Sequence, residues 1–86
     1  MRSHPTGQPI PVAPRESPRI SAGRRVKAAR FLAGGVSQRE VASAAGLSFF
    51  HLAAVERGDH PLLDTDALAL GELLRVPPAW LRDGWT

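Results

Sequence analysis

Cysteine is absent from the chain, so neither a disulfide framework nor a thiolate metal site can be built. A reducing compartment fits that composition. No apolar run approaches the roughly 20 residues that a membrane-spanning helix needs, and the first residues lack the apolar middle of a secretory signal. The chain is therefore expected to act in the cytoplasm, without a membrane partner. Catalytic patterns are missing as well. His4, His51 and His60 do not have the i, i+4 spacing of a helical metal site, and no glycine-rich loop follows a strand-like run. Serine, histidine and aspartate occur without any arrangement that would make one activate another. No enzymatic activity, metal, cofactor or small-molecule substrate is expected, and 86 residues leave room for one domain.

Proline and charge are present in quantity, and both are unevenly placed. Pro5, Pro9, Pro11, Pro14 and Pro18 fall within the first twenty residues, where no periodic apolar pattern occurs. Proline at this density removes backbone donors and blocks helix, which predicts a disordered or extended arm over residues 1–20 and a folded domain over 21–86. The arm's Pro-Val-Ala-Pro segment has the look of a polyproline ligand, a plain tail has the same composition, and an arginine-bearing arm can also lie along DNA. The net charge is +3. Residues 1–30 carry Arg2, Arg15, Arg19, Arg24, Arg25, Lys27 and Arg30 against Glu16 alone, whereas residues 56–86 carry Arg57, Arg75 and Arg82 against six carboxylates. One end of the molecule is drawn to phosphates and the other repelled.

The folded part reads as five short helices. Ser21 is expected to cap a first helix over about Ala22 to Ala33, with Val26, Ala29 and Ala33 as its inner stripe and Phe31 and Leu32 at the edges. Arg24, Arg25 and Lys27 then crowd its first turns, against the helix dipole, by about 0.3–1 kcal/mol each. An anion outside the chain would relieve that cost. Gly34-Gly35 ends this helix, and Ser37 with Glu40 three residues on forms a capping box for the second. Further along, Gly58 and the Asp59-His60-Pro61 turn stop the third helix. Leu62 and Leu63 are expected to cover the core, and Asp64 or Thr65 to cap a fourth helix. Leu68, Leu70, Leu73 and Leu74 are its predicted apolar bulk. Pro77-Pro78 breaks the chain into a short fifth helix, on which Trp80 and Leu81 turn inward and which Gly84 closes.

The most informative stretch is Gln38 to Arg57, QREVASAAGLSFFHLAAVER. Val41, Ala42 and Ala45 give the second helix an apolar face, Gly46 suits the left-handed conformation that closes it, and Leu47 is an apolar plug. Ser48 supplies an oxygen to cap the third helix, on which Leu52 and Val55 face back toward the second. Ala42 is small where the two helices must cross. This arrangement resembles the helix-turn-helix of the lambda-repressor and Cro-like family, the xenobiotic-response-element type, over roughly Ser21 to Trp85. The resemblance implies an all-α, compact five-helix lambda-repressor-like domain that binds DNA.

The resemblance also implies roles for particular residues. Arg30 falls where the family's first helix carries an arginine paired with a glutamate ending the third helix, here Glu56. Gln38 matches the glutamine that starts the second helix and grips a phosphate; an exposed polar residue at a helix start is the plainer reading. Ser48, Phe49, Phe50 and Ala54 fall where the family reads base edges. Two phenylalanines there are a departure, because a phenyl ring offers no hydrogen bond and can only press on a thymine methyl or a base step. For Phe49 a place in the core against the second helix is equally open; Phe50 points more outward. Arg24, Arg25 and Lys27 on the first helix, with His51 and Arg57 flanking the third, are the candidate phosphate contacts. Asp59 and Asp64 stand where relatives often carry basic residues, which shifts the expected contacts toward the first helix and the arm. Trp80 matches an aromatic near the family's domain end, and Trp80 and Trp85 are the candidate dimer seam.

Together these readings describe a sequence-specific double-stranded DNA-binding transcriptional regulator. The resemblance makes it a Cro-like repressor of bacterial or phage type, acting by occupancy of a roughly palindromic operator as a homodimer and residing in the cytoplasm at the nucleoid. The alternative is a protein-interaction module on the same scaffold, of antitoxin or antirepressor type, with Phe49 and Phe50 docking into another protein.

Overall fold

Ser17, rather than Ser21, starts the first helix. A computed structural model describes residues 17–84, which contain five α-helices and no strand: α1 (Pro18–Leu32), α2 (Gln38–Ala45), α3 (Phe49–Arg57), α4 (Asp64–Leu74) and α5 (Pro78–Asp83). Ser17 is extended, and its side chain accepts from the Ile20 N–H. Pro18 then takes the first helical position, where its missing N–H costs nothing and its fixed φ favours the helix. Residues 17–20 therefore belong to the folded part. The rest of the expected arm, residues 1–16, lies outside the described residues. The earlier start also removes the dipole cost expected for Arg24, Arg25 and Lys27. These residues lie beyond the first turn, and the dipole effect decays within it.

The two turns around α3 follow from glycine. Gly46 is left-handed (φ 75°, ψ 26°), its N–H bonding to the Ser43 carbonyl while the Leu47 N–H reaches the Ala42 carbonyl at 2.8 Å. This Schellman closure satisfies two carbonyls of the last turn of α2 and aims the chain into α3. Gly58 (φ 83°) repeats it at the far end of α3. Ser37 caps α2 by accepting from the Glu40 N–H at 3.1 Å, and Ser48 caps α3 by accepting from the His51 N–H at 2.9 Å.

All five helices contribute to one core: Val26 and Ala29 from α1, Val41 and Ala42 from α2, Leu52 and Val55 from α3, Leu70 and Leu74 from α4, and Leu81 from α5. Leu62 and Trp80 are half-buried against it, while Leu63 is largely exposed. Ala33, expected inside, is the exposed C-cap of α1, and Phe31 and Leu32 are exposed beside it. In α4 the leucine stripe divides. Ala67, Leu70, Gly71 and Leu74 are buried, while Leu68 and Leu73 face out. The inward face is the one with the smallest residues, because the chain entering α5 presses on α4. A Cβ at Gly71 would come within 2.7 Å of the Val76 carbonyl oxygen. The cap of α4 also differs from expectation: Asp66, not Asp64 or Thr65, turns back to accept from the Leu63 N–H at 3.1 Å.

The backbones of α1 and α3 approach closely at Gly23. Gly23 is buried there, and a Cβ on it would meet the carbonyl oxygen of Val55 and come within 2.8 Å of that of Glu56. Both obstacles are helical backbone, which cannot rotate away. Gly23→Ala should therefore destabilise the fold by about 1–3 kcal/mol through overpacking, despite alanine's better helix propensity. Denaturant melts check this, with the exposed Ser43→Ala as a control that should change little.

Candidate nucleic-acid interface

The inner side of α3 is held by a buried charge. Arg30, from the last turn of α1, donates from Nε to Glu56 Oε2 at 2.7 Å and from Nη2 to Oε1 at 2.8 Å, a two-pronged pair. The two side chains are only 9% and 3% exposed. A third donor of Arg30, Nη1, bonds the Val36 carbonyl in the connection before α2 at 2.7 Å. Gln38, the first residue of α2, donates from Nε2 to Glu56 Oε1 at 3.0 Å. One guanidinium and one carboxylate thus join α1, the following loop, α2 and the end of α3. The hydrogen bonds to Glu56 raise the Arg30 pKa above its ordinary value, against the opposing pull of burial. A raised folded-state value means that the contribution is fully present below the ordinary arginine pKa and is lost only above it, so it is constant across physiological pH.

Gln38 is accordingly drawn inward. One of its amide hydrogens is committed to Glu56 rather than pointing to solvent. His51 is similarly engaged, its Nε2 lying 2.8 Å from Asp66 Oδ2, and its ring meets His60 edge-on at 4.6 Å between centroids. Arg57 pairs with Asp59 at 2.9 Å, both largely exposed. Arg25 points away from the helix-turn-helix altogether. It donates to the carbonyls of Leu81 (3.0 Å) and Arg82 (2.7 Å) and so closes the end of α5 onto α1. Arg24 and Lys27 are exposed on α1. Trp80 packs against the core, and Trp85 lies outside the described residues.

The outer side of α3 is different in kind. Phe50 is 79% exposed, Ala54 half-exposed, and Ser48 exposed at the start of the helix. With one lone pair taken by the His51 N–H, Ser48 still has its hydroxyl hydrogen to donate and a second lone pair to accept. Phe49 is half-buried and folds back toward α2, with the Arg39 guanidinium carbon 4.2 Å from its ring centroid and the Phe50 ring edge-on at 5.4 Å. Sequence reasoning missed Arg39. Nothing in the local pattern couples two positions ten residues apart, and the pairing becomes visible only once α2 and α3 are packed.

The described fold is similar to that of the restriction-modification controller protein C.AhdI from Aeromonas hydrophila, known from a high-resolution crystal structure. The TM-score is 0.66 and the sequence identity 29%, covering 72% of this chain and 92% of that chain. Scans of protein-family models and of curated proteins return no match.

Removing Arg30 leaves the Glu56 carboxylate buried with Gln38 as its remaining side-chain partner. Arg30→Ala should cost about 3–5 kcal/mol, the usual scale for breaking a buried pair. Arg57→Ala, which breaks only an exposed pair, should cost no more than about 1 kcal/mol. Equilibrium denaturation of both variants measures the difference.

Proposed function

We infer that the protein is a sequence-specific double-stranded DNA-binding transcriptional regulator, with α3 as the helix that enters the major groove. The observation that carries this reading is the two-sidedness of α3. Its inner side is fixed by buried aliphatics and the Arg30–Glu56 pair, while its outer side presents Ser48, Phe50 and Ala54 to solvent. Phe50, with its ring edge-on to half-buried Phe49, gives this side an aromatic surface open to a partner. The likeness to a restriction-modification controller over most of that protein's length supports a regulatory role. The basic character of residues 1–30 supports a nucleic-acid partner.

The finer reading is a Cro-like repressor that occupies a palindromic operator as a homodimer in the cytoplasm. No helix among the described residues is long and apolar enough to cross a membrane. Phosphate contacts come from exposed Lys27 and Arg24 and from Arg57, which can exchange Asp59 for a phosphate at little cost because that pair is solvated. Base discrimination falls to Ser48, Phe50 and Ala54. Of these, Phe50 acts through a thymine methyl or a deformable step.

Selection from a randomised duplex pool tests the reading, with a consensus of two inverted half-sites as the expected result. On that operator Phe50→Ala should cost about 1–3 kcal/mol, the scale of one base position. It should cost much less on random DNA and leave the melting temperature nearly unchanged. Replacing the facing thymine with uracil should reproduce part of the loss in the intact protein. Selection without a consensus, together with loss of a protein partner on Phe50→Ala, would favour the interaction-module reading instead.

A further inference from the structure

We propose that Arg39 clamps a DNA phosphate at the start of α2 and that Phe49 is its positioning residue, the two acting as one unit. The proposal rests on the DNA-binding reading above and assigns Phe49 a place that neither base reading nor core packing gives it. The geometry is a guanidinium carbon 4.2 Å from the Phe49 ring centroid, bridging the first turns of α2 and α3. The contact with the ring uses the charge of the guanidinium and none of its five N–H groups is bonded within the described residues, so donors remain available to an acceptor. A long exposed side chain is thereby held in one place before any ligand arrives, so less freedom is lost on binding.

Nothing within the described protein takes up those donors. Arg39 is exposed and makes no ion pair among the described residues. Its neighbour Glu40 is turned to the Ser37 hydroxyl at 3.2 Å. A cation in the first turn of a helix is disfavoured by the helix dipole, so the position gains from an external anion. Gln38, to which the family resemblance gives the phosphate grip, has one amide hydrogen held by Glu56. Arg39 is the adjacent donor that remains turned outward. An arginine edge matches phosphate oxygens in two-pronged fashion, and a phosphate contact positions a protein without reading sequence.

The test titrates the full chain and its variants against the selected operator and against a random duplex of equal length, each over a range of salt concentrations. Arg39→Ala should weaken binding to both duplexes about tenfold and reduce the slope of log affinity against log salt by about 0.9, the loss of one phosphate contact. Phe49→Leu, which keeps apolar bulk but removes the ring, should weaken both about threefold, as expected for a lost cation–π contact. It should add nothing once Arg39 is already alanine, and Phe49→Tyr, which restores a ring, should bind like the unaltered protein. An unchanged salt slope in Arg39→Ala overturns the clamp. A Phe49→Leu loss confined to the operator and fully additive with Arg39→Ala makes Phe49 a base reader and overturns its positioning role. If Phe49→Leu fails to fold, Arg39→Ala and Arg39→Lys at the exposed position still decide, with lysine expected to keep the salt slope but lose affinity. An unaltered protein that binds neither duplex overturns the DNA reading itself, a result distinct from all of these.

Discussion

The arrangement of this small domain depends on one buried guanidinium. Arg30 sits in the last turn of α1, and its donors end on the last turn of α3 and on the connection into α2. Glu56 completes the junction by accepting from Gln38 as well. Burying two charges brings a desolvation cost that their attraction roughly offsets, so such a pair adds little net stability compared with apolar side chains of the same size. Its value lies in direction. An apolar contact tolerates a few degrees of rotation, whereas a two-pronged arginine–carboxylate pair does so poorly. The rotation of α3 about its own axis, and hence which of its residues face outward, is set by this pair together with the backbone approach at Gly23.

From that constraint the outer surface follows. With Leu52, Ala53 and Val55 committed to the interior, Phe50 is left in solvent, and Phe49 is carried toward α2, where Arg39 covers its ring. The same logic explains why cations that look available in the sequence differ in the fold. Arg25 has become a cap for α5, and His51 is tied to Asp66, the carboxylate that turns back to cap α4. The surface that remains for a partner is narrower than the list of basic residues suggests. In the proposed reading it is centred on the helix-turn-helix, with Arg24 and Lys27 as the contribution of α1.

Much of the fold was legible because its punctuation is chemically specific. Gly46 and Gly58 are needed for left-handed turns, Ser37 and Ser48 for caps, and a helix that ends and restarts within three residues has few alternatives. The five-helix, all-α expectation therefore matches the structure. Errors arose where several residues were chemically equivalent. Ser17 and Ser21 can both cap, and Pro18 reads as a breaker until it is seen at the one helical position that tolerates it. Among the leucines of α4, local pattern does not reveal that Ala67 and Gly71 mark the crowded face. The candidate site was less legible than the fold, because its geometry is made by pairs distant in sequence. The Arg30–Glu56 pair came into view only through the family resemblance, and the Arg39–Phe49 stack and the Arg25 cap did not come into view at all.

The outer face of α3, with the start of α2, is the surface proposed to contact DNA. Backbone amide shifts of isotopically labelled protein, followed by NMR as operator duplex is added, test it most directly. The largest shifts should fall at Arg39 and from Ser48 through Ala54, while Leu70, Leu74 and Leu81 in the core of α4 and α5 barely move. Shifts concentrated on the exposed leucines of α4, with the Ser48–Ala54 segment unchanged, would contradict it.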